Sequence, residues 1–298
     1  DRDKDFIYTK LLTKCIMKYG GRPIMTDELS ENIAIGERCG DYDNVINKSD
    51  IMVCLGGDGT FLKVGRRIYK KNLPVLGINL GNLGFLTEVD RNDIDQAIEQ
   101  IFKDNYEIEE RMMLEVAICK KGEAPIYDIA LNDAVITRRS VSRIIHVKLY
   151  VNNIFVDSFP GDGLIISSPT GSTAYSLSAG GPIVDPDNNL LLITPICPHI
   201  LYSRSFVIKE NSLVRAIVDE NFHHDAMVAL DGEEGYDIKG GDIVEVKKSP
   251  YTIKLIKLKD RSFYNILRTK IYYRGESLKK DEIQQTCQNI GVDREISN

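Results

Sequence analysis

The chain has no cysteine pair at metal-binding spacing: Cys15, Cys39, Cys54, Cys119, Cys197 and Cys287 lie far apart, and no C-x-x-C occurs. Nothing in that spacing suggests zinc or dithiol chemistry, so reduced thiols are expected. Histidine is scarce. Of the four, His223 and His224 are adjacent without an H-E-x-x-H pattern, so packed or solvated imidazoles are the simpler reading, and no metal site made by the protein alone is expected. No apolar run approaches the roughly 18 residues of a membrane span. The polar opening "DRDKD" is neither a signal peptide nor a transit sequence, and a cytoplasmic protein is expected. A formal net charge of −6 offers no broad basic field for nucleic acid or an anionic membrane. A small-molecule ligand is expected instead. Repeats and low-complexity segments are also absent.

What is present is a globular composition: 298 residues, 43% of them hydrophobic, enough for one large domain or two ordinary ones. Residues 7–19 put Ile7, Leu11, Leu12, Cys15 and Ile16 on one helical face, and Gly20-Gly21 end that helix. Apolar "DIMVCL" (50–55) reads as a buried strand, "TFLKVGRRIYKKN" as the following helix and "LPVLGINL" (73–80) as a second buried strand, which makes a βαβ unit with a parallel sheet. Residues 92–103 predict a capped helix with Ile94, Ile98, Ile101 and Phe102 as its stripe. From about Glu109 the pattern turns to short strands: "MLEVAICK", "YDIALNDAVITR", "IIHVKLYVNN", "IFVDSF", "GLIISS", "SLVRAIVD", "AMVALDG", "DIVEVKKS" and "YTIKLIKL". Asn152-Asn153, Asp231-Gly232 and Gly240-Gly241 suit hairpin turns. The expected organisation is an α/β domain over 1–108, a β-rich domain over 109–275 and a polar tail over 276–298.

Chemistry concentrates in three stretches. "CLGGDGTFL" (54–62) encloses an acid between glycines at a strand end, where backbone commonly approaches phosphate. It is not a Walker loop, because no G-x-x-x-x-G-K-[ST] surrounds it, and "GINLGNLGF" is not a G-x-G-x-x-G fingerprint. A plain strand-to-helix turn capped by Asp58 or Thr60 is an equal reading. "FPGDGLIISSPTGSTAYSLSAGGPIV" (159–184) repeats Gly-Asp-Gly, then turns through "SPTGST" into a short helix closed by Gly180-Gly181-Pro182. Such a turn offers amides and hydroxyls to phosphate or a nucleobase edge; the bland alternative is that Ser172 or Thr173 caps the helix and Tyr175 packs. "ALNDAVITRR" (130–139) sets Asn132 and Asp133 in an otherwise apolar strand, which implies a ligand, a β-bulge or an internal hydrogen bond.

Together, "GGDGTFL", "GINLGNLGFL", "LNDAVI", "PGDGLIISSPTGSTAYSLSAGGPIV" and "ITPICPHIL" resemble, in that order and over about residues 5 to 275, the NAD kinase family, which phosphorylates NAD to NADP. The wider kinase superfamily shares a version of "GGDGT" but not "SSPTGSTAYSLSAGGP". The resemblance implies an N-terminal α/β domain and a β-rich C-terminal domain with a cleft between them. It implies transfer of the terminal phosphoryl group of ATP or polyphosphate to the 2′-hydroxyl of NAD's adenosine ribose. Mg²⁺ would arrive with the donor. It casts Asp58 as proton acceptor, with Gly56, Gly57 and Gly59 admitting the donor phosphates. Asn132 and Asp133 would contact the dinucleotide, although members more often carry Asn-Glu there. Asp162, Thr173, Ala174, Tyr175 and Ser178, with Ser176 and Leu177 between them, map to the nucleotide pocket, where Tyr175 offers a ring face. Lys63 and Arg143 match basic positions that touch the ligand, and Gly232 or Glu233 a further polar contact. Pro160 stands where some members carry a basic residue. Homodimers or homotetramers packed through β-domain surfaces are implied. The rival readings are a lipid or sugar kinase of the same superfamily and a non-catalytic dinucleotide-binding module.

Overall fold

The computed structural model describes residues 3–81, 84–140, 143–221, 225–233, 235–258 and 262–272; the tail 276–298, Cys287 and the His223-His224 pair lie outside them. The first part of the chain forms α1 (Ile7–Lys18), β1 (Ile24–Met25), α2 (Asp27–Ile33), β2 (Glu37–Arg38), α3 (Tyr42–Lys48), β3 (Met52–Gly56), α4 (Asp58–Ile68), β4 (Pro74–Asn79), β5 (Val89–Asp90) and α5 (Ile94–Phe102). Leu12 and Cys15 of α1 and Ile94, Ala97 and Ile98 of α5 are buried in one cluster with Leu76 and Ile78 of β4, as the helical periodicity predicts. The stripes are narrower than expected. Ile7, Leu11 and Phe102 are exposed, so only part of each predicted apolar face is covered. The expected cap of α5 is not formed: Asp93 makes no side-chain cap, and the Asp90 carboxylate accepts the Asn92 amide instead. β3 and β4 pair in parallel, from Met52 opposite Val75 to Gly56 opposite Asn79, which is the predicted βαβ unit.

The second part adds β6 (Glu107–Cys119), β7 (Ile126–Ala130), β8 (Asp133–Arg138), β9 (Ile145–Val151), β10 (Ile154–Gly161), β11 (Gly163–Ser167), α6 (Tyr175–Ser178), β12 (Leu190–Ile196), β13 (Phe206–Lys209), β14 (Val214–Val218), β15 (Ala226–Leu230), β16 (Tyr236–Ile238), β17 (Ile243–Lys257) and α7 (Phe263–Tyr272). Of these, β12, β13 and β16 were not individually marked by the sequence pattern. One sheet of nine strands follows the path β10-β9-β14-β17-β4-β3, with β6 on β17, β7 on β6 and β5 on β4; a sheet of six runs β13-β12-β11-β8-β15-β16. Alternate residues face the space between them: Met112, Leu114, Val116 and Ile118 from one side, Ala134, Ile136, Leu164 and Ile166 from the other, form the largest core. Each such Leu, Ile or Val contributes about 1.5–3 kcal/mol on burial.

Three expected features take other forms. "DIVEVKKS" and "YTIKLIKL" are one strand, β17; four steps on it, Lys248 to Thr252, match two on β6, Leu114 to Met112. Pro250 has no N–H to give the ladder, so the chain bulges there without turning back. "YDIALNDAVITR" is two strands, since the chain leaves the nine-stranded sheet at Ala130 and joins the six-stranded one at Asp133. Gly240-Gly241 likewise joins β16 to β17 across sheets and is not a hairpin, whereas Asn152 and Asn153, at φ 50° and 68°, turn β9 into β10 as predicted.

Candidate active site

β3 ends at Gly56, Gly57 is extended, and α4 starts at Asp58, so a parallel strand delivers the acid at its carboxyl end, where open α/β sheets bind ligands. Neither Asp58 nor Thr60 caps α4; the N-cap is Gly57 and no side chain bonds the first turn. The Asp58 carboxylate is used elsewhere. Its Oδ2 accepts the Phe85 N–H at 2.9 Å and its Oδ1 the Leu86 N–H at 3.0 Å, so "GFL" (84–86) grips the acid through main chain. Gly84 makes that grip possible: a Cβ there would lie 2.0 Å from Asp58 Oδ1 and 2.4 Å from Thr87 Oγ1. The Thr87 hydroxyl, 1% exposed, has no hydrogen-bond partner among the described residues. Gly56 is needed by the protein itself, because a Cβ would meet Thr60 Oγ1 at 2.3 Å, whereas Gly59 opens onto empty space.

The first turns of α4 lead to the second group. Phe61 and Leu62 share a core with Leu131, the residue before Asn132. Lys63 pairs with Glu233 at 3.1 Å, so two positions named by the resemblance meet. Arg66 donates to the Leu230 carbonyl at 3.1 Å and to Asp128 at 2.8 Å. Asp231 then holds the sheet-to-sheet crossing: its carboxylate accepts the amides of Leu131, Asn132 and Asp133 at 2.8, 2.7 and 3.2 Å. An Asp at the start of a hairpin turn carried no sequence signal for this role, because its partners are remote in sequence.

Asn132 and Asp133 are buried, and the Asn132 Oδ1 and the Oγ of Ser167, which lies opposite Asp133 on β11, have no partner among the described residues. Burial, then the neighbouring Asp231 carboxylate, raises the Asp133 carboxyl from 3.8 to about 7. Burial also pushes Asp231 up, against three amides that favour its anion. Three amides favour the Asp231 anion, so Asp133 is the member that holds a proton below about pH 7, where it can donate as well as accept. Between pH 4 and 7 the folded chain keeps a proton that the unfolded chain has released, so this group's contribution to stability is full below that window and is lost as pH rises through it. Asp133→Asn is expected to raise the unfolding midpoint at pH 8 relative to wild type, with the difference vanishing near pH 4, by urea titration. An equal gap at both pH values would show that Asp133 does not carry the proton.

Ser168 fastens the "SPTGST" turn to the same crossing: its Oγ donates to the Leu131 carbonyl at 2.5 Å and its N–H to the Asn132 carbonyl at 2.9 Å. The turn's hydroxyls are largely used internally. Ser172 Oγ bonds both main-chain groups of Val184, Thr173 Oγ1 bonds the Thr170 carbonyl and Ser176 Oγ lies 3.1 Å from Thr194 Oγ1. Ala174 and Leu177 are half-buried, Ser178 is exposed and the Tyr175 ring is 44% exposed. Burial, then Cys197, Asp162 and Asp133, pushes the Tyr175 hydroxyl up, so these groups lie within electrostatic reach of it. Asp162 pairs with Arg138 at 2.7 Å, a partner that the motifs did not single out. Pro160 gives its carbonyl to the His199 amide. Arg143 is exposed just before β9, and no contact among the described residues joins it to the others.

Beside the acid turn, a cavity of about 280 Å³ opens between Phe85, Arg111, Asp185, Asp187 and Phe263. Its Arg111 already pairs with Glu109, so it is not a ready-made phosphate site. Among the described residues no group of three or more His, Cys, Asp or Glu could hold a metal ion, and no helix is long and apolar enough to cross a membrane.

Residues 38–106 match the family model of the ATP-NAD kinase N-terminal domain and residues 131–258 that of the ATP-NAD kinase C-terminal domain. The NAD kinase of Acetivibrio thermocellus is 49% identical over 94% of this chain and 96% of its own length; that of Ruminiclostridium cellulolyticum is 43% identical over 93% and 96%. Two solved structures share the fold: yeast NADH kinase complexed with NADH, at TM-score 0.80 and 24% identity over 90% of this chain and 86% of that one, and an Archaeoglobus fulgidus NAD kinase in complex with ATP, at TM-score 0.71 and 23% identity over 89% and 95%. With both domain models in register along the chain and relatives 49% and 43% identical over most of it, this protein belongs to the NAD kinase family.

Proposed function

We propose that the chain transfers the terminal phosphoryl group of ATP, or of polyphosphate, to the 2′-hydroxyl of NAD's adenosine ribose, giving NADP. The observation that carries this reading is the convergence on α4: Asp58 opens the helix with its carboxylate oriented by two amides, and the next turns pack on Leu131, beside the buried and unpartnered Asn132 Oδ1. Unpartnered buried polar atoms are rare, and a ligand with donors and acceptors would satisfy them.

In this reading Asp58 takes the hydroxyl proton. An alcohol holds that proton too tightly for a carboxylate to remove it beforehand, so transfer comes late, as oxygen bonds to phosphorus; such help is worth roughly 10²- to 10⁴-fold, with positioning and charge neutralisation supplying more. Asn132 and protonated Asp133 pair with ribose or base, Tyr175 stacks, and Asp162 with Thr173, Ala174, Ser176, Leu177 and Ser178 shapes the pocket. Lys63 and Arg143 add charge, with Gly56, Gly57 and Gly59 along the donor. A Mg²⁺ carried in on the donor phosphates would be met by Asp58, a partly exposed carboxylate whose two oxygens each keep a lone pair beyond the amide they accept. Bound there, the ion would offset phosphate charge. The α/β part to residue 108 would supply the acid and the β-rich part to 275 the nucleotide pocket, in a cytoplasmic homodimer or homotetramer. Leu201, Tyr202 and Val207, all exposed on or beside the edge strand β13, support a contact between copies.

Incubation with NAD, Mg²⁺ and either donor should yield NADP, read by a dehydrogenase that uses only the phosphorylated cofactor. No NADP from either donor would sink the reading in favour of a binding module. Loss of specific activity on serial dilution is expected if neighbours complete the pocket, and dilution-independent activity would remove that part of it.

A further inference from the structure

No motif drew attention to α7, yet it returns over the acid turn. The strand before it, β17, runs parallel beside β4, with Lys254 opposite Pro74 and Leu255 opposite Val75, so its outgoing end lies on the same side of the sheet as Gly56. From there α7 crosses back. Phe263 meets Phe85 with ring centroids 5.9 Å apart, Ile266 is buried, and Tyr264 donates its hydroxyl to Asp185 at 2.7 Å. Lys270, two turns on, sets its Nζ 4.5 Å from the Phe85 ring centroid and 3.5 Å from Asp58 Oδ2, the oxygen that accepts the Phe85 amide.

Stability does not explain that cation. The Lys270 and Asp58 side chains are 32% and 29% exposed, and 3.5 Å is longer than a good charge-assisted hydrogen bond, so the pair adds little to folding. Phe263, Ile266 and Tyr264 already anchor the helix. The Asp58 carboxylate already has two amides. What the position does supply is a solvent-reachable positive charge beside the one carboxylate assigned to the reacting hydroxyl.

We propose that Lys270 is a catalytic residue that binds the phosphoryl group in flight; this rests on the NAD kinase reading above. The ribose oxygen forms its bond to the terminal phosphorus while the bond from that phosphorus to the bridging oxygen breaks. The bridging oxygen keeps the electron pair and leaves with the shortened donor. The hydroxyl proton passes to Asp58. Lys270 stays protonated throughout, moving from Asp58 Oδ2 to an oxygen of the transferring group, which both stabilises charge there and releases the carboxylate to accept the proton.

The test is steady-state NADP formation by wild type, Lys270→Met and Lys270→Arg, with unfolding midpoints measured alongside. Lys270→Met should lose about 100-fold in kcat, as removal of one charge-stabilising donor commonly does, with KM for NAD and the midpoint nearly unchanged. Lys270→Arg should recover part of the loss. A methionine variant at wild-type kcat would overturn the assignment, as would a variant whose loss is matched by a lower midpoint and is not recovered by arginine. If wild type itself makes no NADP, the NAD kinase reading falls and this assignment with it.

Discussion

Asp58→Asn is expected to lower turnover by at least 10²-fold and up to about 10⁴-fold, the range for losing a positioned general base, while NAD still binds. Asparagine keeps the shape and loses the charge and the proton acceptor. It also has only one acceptor oxygen for the two amides of Phe85 and Leu86, so its NH₂ faces a donor and the main chain at 84–86 loosens. These two effects separate by measurement. Loss of proton acceptance lowers kcat at constant NAD affinity, whereas loosening of the turn raises the NAD dissociation constant, read by calorimetry on the same variant. Wild-type turnover in Asp58→Asn would remove Asp58 from the chemistry altogether, both as base and as partner of the donor's metal ion.

Asp231→Ala should destabilise the fold by roughly 3–5 kcal/mol, one of the largest single effects available in the chain, because three buried amides lose their acceptor at about 1–3 kcal/mol each and relief of the Asp133–Asp231 repulsion returns part of it. Native proteins hold only about 5–15 kcal/mol in reserve, so urea titration should show a midpoint shifted far toward zero. Asp231→Asn, which retains one acceptor oxygen, should fall between. An alanine variant as stable as wild type would mean that water or a rearranged main chain satisfies the three amides, and that the crossing between sheets does not depend on this side chain. In the intermediate Asn variant, weakened NAD binding is also expected, since the amides held are those of Asn132 and its neighbours.

Much of this was readable from residue order. The βαβ unit followed from two apolar runs flanking an amphipathic helix, and the acid turn from glycines at the strand end. The Asn152-Asn153 hairpin followed from residues that accept left-handed backbone. Such features are local: their energetics are decided within a few residues, so spacing suffices to reveal them. The split of "YDIALNDAVITR" was not readable, because an apolar run does not record which sheet will take each half. Nor was the continuity of β17 through Pro250, where a missing N–H could equally have ended the strand.

By itself, then, the sequence determined the family motifs, the secondary-structure periods and the identity of the acid between the glycines. Tertiary structure alone decided what touches that acid and what holds the crossing beside Asn132. Asp231 reaches Leu131 across 100 positions of chain, and Lys270 reaches Asp58 only because β17 lies parallel to β4 and sends α7 back over the sheet end. Contacts of that kind depend on where the chain returns in space, which is set by the packing of whole strands and helices and not by the residues that finally meet.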